Sequence, residues 1–221
     1  MSKVAVLGGT GALGHALARR WAMAGRQVVI GSRDAARAVE AAAALSAETR
    51  ATVVGMANRE AAQACDIAVL TVPFASQAAV LEDVRPALAG KVLIDTTVPL
   101  VPPRVARVQL PAEGSAAVRA ASLLGEDVRV VSAFHNVPAE SLAADGPLDC
   151  DVLVFGDDKA ARADALGLAQ AAGLRAFHAG SLANSAAAEA LTSVLIFLNK
   201  HYGGHGGIRL TGLGGGGDAT P

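Results

Sequence analysis

The sequence has no charge surplus of either sign. Its 19 Lys and Arg stand against 20 Asp and Glu, a formal net charge of −1 at pH 7. A protein that grips nucleic acid non-specifically needs a basic field, so that class is excluded. A local cation cluster for a small anion is not. Cysteine is scarce too. Cys65 and Cys150 are the only two, with neither a metal-like pair nor a disulfide framework, which fits a reducing compartment. The apolar run after Lys3 ends at once in glycines and is too short for a signal-peptide core. No run reaches the unbroken length of a membrane span. The longest, Leu182 to Leu198, is interrupted by Asn184, Ser185, Glu189 and Ser193. The expectation is a cytoplasmic protein with neither membrane nor nucleic-acid partners. Also missing are a hydrolase serine elbow, a phosphate-loop lysine motif and an internal repeat. His201 and His205 are separated by Tyr202, Gly203 and Gly204, which makes no regular helical metal pair, so no metal site is expected.

What is present is a folding composition. Hydrophobic residues make up 52% of 221 and charged residues 18%, enough for one large core or two unequal domains. Lys3–Leu7 reads as a strand apolar on both faces, as in a central parallel strand. Ala12–Ala24 reads as a helix on Leu13, Leu17, Trp21 and Ala24, stopped by Gly25, and Gln27–Ser32 as a second strand. This unit has βαβ length. The alternation continues through strands at 51–55, 66–72, 91–97 and 127–134, with helices from Asp34 as N-cap, behind Asn58, over Ser76–Leu88 and over Glu113–Leu124. The pattern predicts an α/β fold, a Rossmann-type doubly wound parallel sheet over residues 1–134. Beyond it the rhythm changes. Residues 135–221 read as a smaller C-terminal α/β domain, with a strand at 151–156, a helix from Lys159, a strand at 174–180 and a long helix over Ser181–Leu198. The glycine-rich stretches "GGHGG" and "GGGGDATP" read as mobile.

Gly9, Gly11 and Gly14 form G-x-G-x-x-G after a strand and at the start of a helix. In that context the motif predicts a dinucleotide site. Gly9 would permit a tight turn, Gly11 would let the backbone approach a pyrophosphate, and Gly14 would allow close helix–strand packing. The N–H groups of the helix start, around Ala12 and Leu13, would meet the phosphates. The second strand then selects the nucleotide. A carboxylate at its end would bind both ribose hydroxyls of NAD. Here Gly31, Ser32 and Arg33 occupy that end, and the first acid, Asp34, has a competing role as helix cap. Hydroxyl and guanidinium donors suit a 2′-phosphate, so NADP is favoured, with Thr10 near the same edge.

Ligands bind beyond the carboxyl ends of such strands. Thr71, Val72, Pro73 and Phe74 end the fourth strand, and the three apolar residues are placed to wall a nicotinamide, with hydroxyls from Thr71 and Thr96. His135 and Asn136 follow the sixth strand, at the expected mouth of an inter-domain cleft. There His135 would orient a substrate or move a proton, or simply bond to backbone. The chemistry therefore rides on the cofactor.

Several segments together resemble the NADPH-dependent reductases of the deazaflavin coenzyme F420, the F420H2:NADP oxidoreductases. They are "VAVLGGTGALGHALARRWAMAG", "VVIGSRD", "DIAVLTVPF", "GKVLIDTTVPL", "VSAFHNVPAESL", "DVLVFGDD" and the ending "HAGSLANSAAAEALTSVLIFLNKHYGGHGGIRLTGL". The resemblance spans nearly the whole chain. It implies a nucleotide-binding domain, a smaller C-terminal domain and a homodimer. It also implies reversible hydride transfer between nicotinamide C4 and deazaflavin C5, with the rings stacked in the cleft. Thr10, Ser32 and Arg33 would bind the 2′-phosphate side of NADP. His135, Asn136, Val137 and Pro138 would line the deazaflavin pocket, which Gly206 to Leu213, including Gly207, would complete. Relatives of this fold also reduce flavins, pterin-like rings and cyclic imines, and a non-catalytic NADP-binding redox sensor is a third possibility.

Overall fold

The structure, a computed structural model, describes residues 2–213; the glycine run expected at 214–221 lies outside them. The elements are β1 (Val4–Leu7), α1 (Ala12–Met23), β2 (Val28–Ser32), α2 (Ala35–Thr49), β3 (Val53–Ala57), α3 (Asn58–Ala64), β4 (Ile67–Leu70), α4 (Phe74–Leu88), β5 (Val92–Asp95), α5 (Ala116–Leu124), β6 (Arg129–Ser132), α6 (Ala139–Ala143), β7 (Asp151–Gly156), α7 (Lys159–Ala171), β8 (Arg175–His178) and α8 (Ser185–Tyr202), the last preceded by a 3-10 turn at Leu182–Asn184.

All eight strands lie in one sheet, ordered β3-β2-β1-β4-β5-β6-β7-β8. The pairs from β3 to β6 are parallel, β7 runs antiparallel to β6, and β8 is parallel to β7. This is the doubly wound Rossmann arrangement, extended at one edge. The parallel run ends with β6, but the sheet and one core layer continue across residue 134. Strand alternation sorts the core into two layers. Val4, Val6, Val28, Ile30, Val69 and Ile94 face one cluster, with Leu17 and Trp21 of α1 and Leu45 of α2. Ala5, Leu7, Val29, Leu70 and Leu93 face the other, under α3, α4 and α5. Both faces are covered, which is why these strands read as unbroken apolar runs.

The first layer continues through Phe134, Leu142, Val152, Val154 and Leu168. Long-range polar contacts bind the two halves further. Trp21 Nε1 donates to the Leu168 carbonyl at 2.8 Å, and the Arg20 guanidinium donates to the carbonyls of Leu142 at 2.8 Å and Ala144 at 2.6 Å. Several elements differ from the sequence reading, among them α5, which starts at Ala116 rather than Glu113. Helix α4 starts at Phe74 behind Pro73 rather than at Ser76, α8 runs on to Tyr202 before Gly203 turns the chain at φ 73°, and the five-residue α6 carries too little pattern to be foreseen.

Candidate active site

The glycine turn joins β1 to α1. Gly8, not Gly9, takes the left-handed conformation, at φ +83°. Its N–H donates to the Gly31 carbonyl at 3.0 Å and to Asn58 Oδ1 at 3.3 Å, so the turn is pinned to the ends of β2 and β3. Gly9 is required for packing: a Cβ there would stand 2.9 Å from the Val6 carbonyl. A Cβ on Gly14 would collide with the Thr71 hydroxyl and stand 2.9 Å from Gly9 Cα. Gly11 is different. A Cβ there would meet no atom of the described residues closer than 3.4 Å. The protein itself has room for a side chain at Gly11, and a backbone hugging a phosphate does not. The 12-residue helix α1 begins there without a side-chain cap and without an acid in its first turn, which leaves its N-terminal N–H groups and dipole to an anion. Ala12 is exposed on that first turn, and Leu13 packs against the core.

A cleft of about 480 Å3 opens beside this turn. It brings together Thr10, Gly11, Ser32, Arg33, Thr71, Val72 and Pro73, all expected from the sequence. Asp34, Arg37, Asn58 and Ser76 line it as well. The Asp34 carboxylate accepts from the N–H of Ala36 at 3.0 Å and of Arg37 at 3.3 Å. The acid is engaged as the α2 cap. Arg33, just before the α2 cap, and Arg37, in the first turn of α2, are exposed, and neither is in an ion pair among the described residues. Arg37 and Asn58 were missed in the sequence reading. The i, i+4 spacing from Arg33 was the signal for Arg37, whereas Asn58 was read only as a helix start. Phe74 does not line the cleft; its ring lies under the Arg119 guanidinium, 4.9 Å away. Thr71 and Thr96 direct their hydroxyls to strand carbonyls, those of Leu7 at 3.1 Å and Leu70 at 2.8 Å.

His135 to Pro138 form a second corner, beyond the end of β6 and outside the lining of that cleft. Phe134, at φ 68°, turns the chain there and sets its ring edge-on to Trp21. His135 Nε2 lies 3.1 Å from Ser132 Oγ, and its Nδ1 has no partner among the described residues. Burial lowers the imidazole pKa to about 4, so the ring is neutral near pH 7. Asn136 donates to the Ala188 carbonyl at 2.9 Å and to Thr192 Oγ1 at 3.1 Å, and Thr192 Oγ1 donates to the His135 carbonyl at 3.1 Å. Helix α8 thus fixes the corner. Gly207 closes on it: a Cβ there would stand 2.8 Å from Cys150 Cβ, 3.1 Å from the Asn136 carbonyl and 3.4 Å from Pro138 Cδ. Leu213 lies further out and is exposed.

Two buried carboxyls stand behind these corners. Asp95 accepts from Gln77 Nε2 at 2.7 Å and from the Thr97 N–H at 2.9 Å, yet burial raises its pKa to about 6. Glu189 of α8 accepts the N–H groups of Ala116 at 2.6 Å and Ala117 at 3.1 Å, the first turn of α5. Burial raises it to about 7 despite those donors. Helix α8 with its preceding turn, Leu182–Tyr202, is by length and composition the one helix among the described residues able to cross a membrane. Ser185, Glu189 and Ser193 instead point into the fold.

The family described as NADP oxidoreductase, coenzyme F420-dependent, matches residues 3–99. The F420-dependent NADP reductase of Methanothermobacter marburgensis is 44% identical over 96% of this chain and 99% of its own length. The chain belongs to the F420-dependent NADP reductases. The F420-dependent NADP reductase of Methanothermobacter thermautotrophicus is 42% identical over 96% of the chain and 95% of its own. Among solved structures, a candidate F420-dependent NADP reductase from Arthrobacter sp. FB24 superposes with a TM-score of 0.79 at 27% identity, covering 93% of this chain and 96% of that one. The cation corner follows the end of β2 and the histidine corner follows the end of β6, both at the carboxyl edge of the sheet.

Proposed function

We propose that this protein transfers a hydride reversibly between NADP(H) and coenzyme F420. The observation that carries the reading is likeness over the whole chain, including the C-terminal third, to reductases of that name. The cleft supports the NADP half. Ser32, Arg33 and Arg37 would hold the 2′-phosphate, with Thr10 beside them. The N–H groups of α1 from Gly11 through Leu13 would take the pyrophosphate, around the space that a Cβ on Gly11 would fill. Gly9 and Gly14 would keep that turn packed, and Thr71, Val72 and Pro73 would wall the nicotinamide.

When bound, the two coenzymes supply the hydride donor and its acceptor, nicotinamide C4 and deazaflavin C5. The protein's task is alignment and exclusion of water. His135, Asn136, Val137 and Pro138, with Gly207 and Leu213, would form the deazaflavin side. The orphaned Nδ1 of His135 supports this, because a buried ring nitrogen without a partner matches a polar atom of a bound ring. A neutral imidazole at that point holds a hydrogen bond and orients the ring. The apolar face of α8, with Val194, Phe197, Leu198 and Tyr202 exposed, supports a homodimer. A cytoplasmic location and the division at residue 134 belong to the same reading.

The test is an anaerobic mixture of purified protein, NADPH and oxidised F420, followed by nicotinamide and deazaflavin absorbance. Equimolar loss of both bands is expected. Binding of both coenzymes without transfer would reject the reading, as would faster turnover of a flavin, a pterin or a cyclic imine under the same conditions.

A further inference from the structure

After α8 the chain turns back at Gly203 and Gly204, both at positive φ, and runs along the start of β7. Strand β6 pairs only with the far end of β7, at Phe155 and Gly156. The edge near Asp151 is therefore left to the returning segment, a strap over residues 206–210. Asp151 N–H donates to the Ile208 carbonyl at 2.8 Å, and Asp151 Oδ2 accepts the Leu210 N–H at 2.7 Å. The same carboxylate, with no solvent exposure of its side chain, takes Arg175 Nε at 2.8 Å and Nη2 at 2.7 Å. Arg175 Nη2 also donates to the Leu210 carbonyl at 3.1 Å. The strap is thus bonded to both members of one ion pair. Arg209 pairs with Asp149, and Gly206 N–H donates to Asn199 Oδ1 at 2.7 Å.

A buried carboxylate stays charged only while its donors remain in place. The strap's N–H is one of those donors, so strap and ion pair stand or fall together. Between its two anchors the strap presses Gly207 against the Asn136 carbonyl and the Pro138 ring. We propose that Asp151 and Arg175 form a positioning clamp that holds the strap against the His135–Pro138 corner and so sets the affinity for the second coenzyme. The inference rests on the reading that this corner receives the deazaflavin. Neither residue touches a coenzyme; both act through Gly207.

The experiment compares wild type, Arg175→Leu, Arg175→Lys and Leu210→Pro. It measures KM for the deazaflavin, Kd for NADPH by nucleotide fluorescence, and hydrogen exchange of the 206–213 backbone. Arg175→Leu removes the fork from a partly exposed edge strand. Leu210→Pro removes the N–H that Asp151 accepts, at the cost of a fixed φ there and a narrowed backbone at Arg209, and serves if the first variant fails to fold. Both should raise deazaflavin KM about tenfold or more, the equivalent of one charge-assisted hydrogen bond, with faster strap exchange and an unchanged NADPH Kd. Lysine at 175 should restore part of the affinity. A strap as protected in the variants as in wild type overturns the clamp. So does a loosened strap with unmoved deazaflavin KM, or a parallel loss of affinity for both coenzymes, which marks a merely structural role. In those cases wild type still exchanges hydride. A wild type that binds NADPH but passes no hydride to the deazaflavin overturns the reading of the corner, and the clamp's role with it.

Discussion

At the scale of single residues, the proposed choice between nucleotides rests on the end of β2. Asp34 caps α2 through Oδ1, which accepts two N–H groups, while the residue also lines the cleft. Arg33 and Arg37 flank Ser32 on the cleft wall. Arg33→Ala should raise KM for NADPH roughly tenfold or more through loss of a charged hydrogen bond, while KM for NADH stays unchanged. Steady-state kinetics with both nucleotides checks this, and equal effects would reject a phosphate role. His135 makes a different prediction. Its pKa is lowered to about 4 by burial, below that of the unfolded ring. The unfolded state therefore binds the extra proton first, and the stability this group contributes above pH 6.5 is lost as pH falls toward 4. The loss is on the order of 3 kcal/mol. Urea melts from pH 7 to 4 should show that acid-side loss diminished in His135→Ala. Over pH 6–8 the hydride-transfer rate should lack any limb from this residue, and His135→Ala should slow transfer without abolishing it, because alignment matters more than proton movement.

At the scale of elements, α8 carries much of the arrangement. Glu189 caps α5, and Thr192 and the Ala188 carbonyl hold Asn136. The Glu189 pKa is raised to about 7, so the sign is opposite to that of His135. Its stabilising contribution is full below pH 4.5 and lost as pH rises through 7, again on the order of 3 kcal/mol. Glu189→Gln should remove that part of the slope in the same urea series, at the cost of one backbone N–H left without its acceptor. These elements also separate what the sequence made legible from what it hid. Strands β1, β2, β4 and β5 were plain as apolar runs, and the cap at Asp34 followed from its place before an alanine-rich helix. Contacts between residues far apart in the chain were not legible. Nothing near Ser115 announces that a glutamate some 70 positions later will cap α5, and nothing near Asp151 announces Arg175 and Leu210. Gly8 was hidden for another reason: the motif draws attention to Gly9, whereas the positive φ falls one residue earlier.

At the scale of the whole molecule, two surfaces matter. One is the carboxyl edge of the sheet, where the two corners proposed for the coenzymes lie. The other is the outer face of α8, where Phe197 is 54% and Tyr202 76% exposed beside Val194 and Leu198. Apolar side chains left exposed together on one helix face are what a partner surface would cover. The double substitution Phe197→Ser and Tyr202→Ser should shift the mass in light scattering from twice 22.1 kDa to a single chain. A wild type already at the single-chain mass would refute the dimer.

The Arg20 guanidinium has a consequence for motion. It sits on the helix that starts at the glycine turn, and it grips carbonyls of Leu142 and Ala144 in the second half of the chain, beside Trp21, which grips Leu168. Separating the halves would break the buried bond of Trp21 and the more exposed ones of Arg20. A hinge between the halves is opposed at α1 by all three bonds, so motion between them is restrained there.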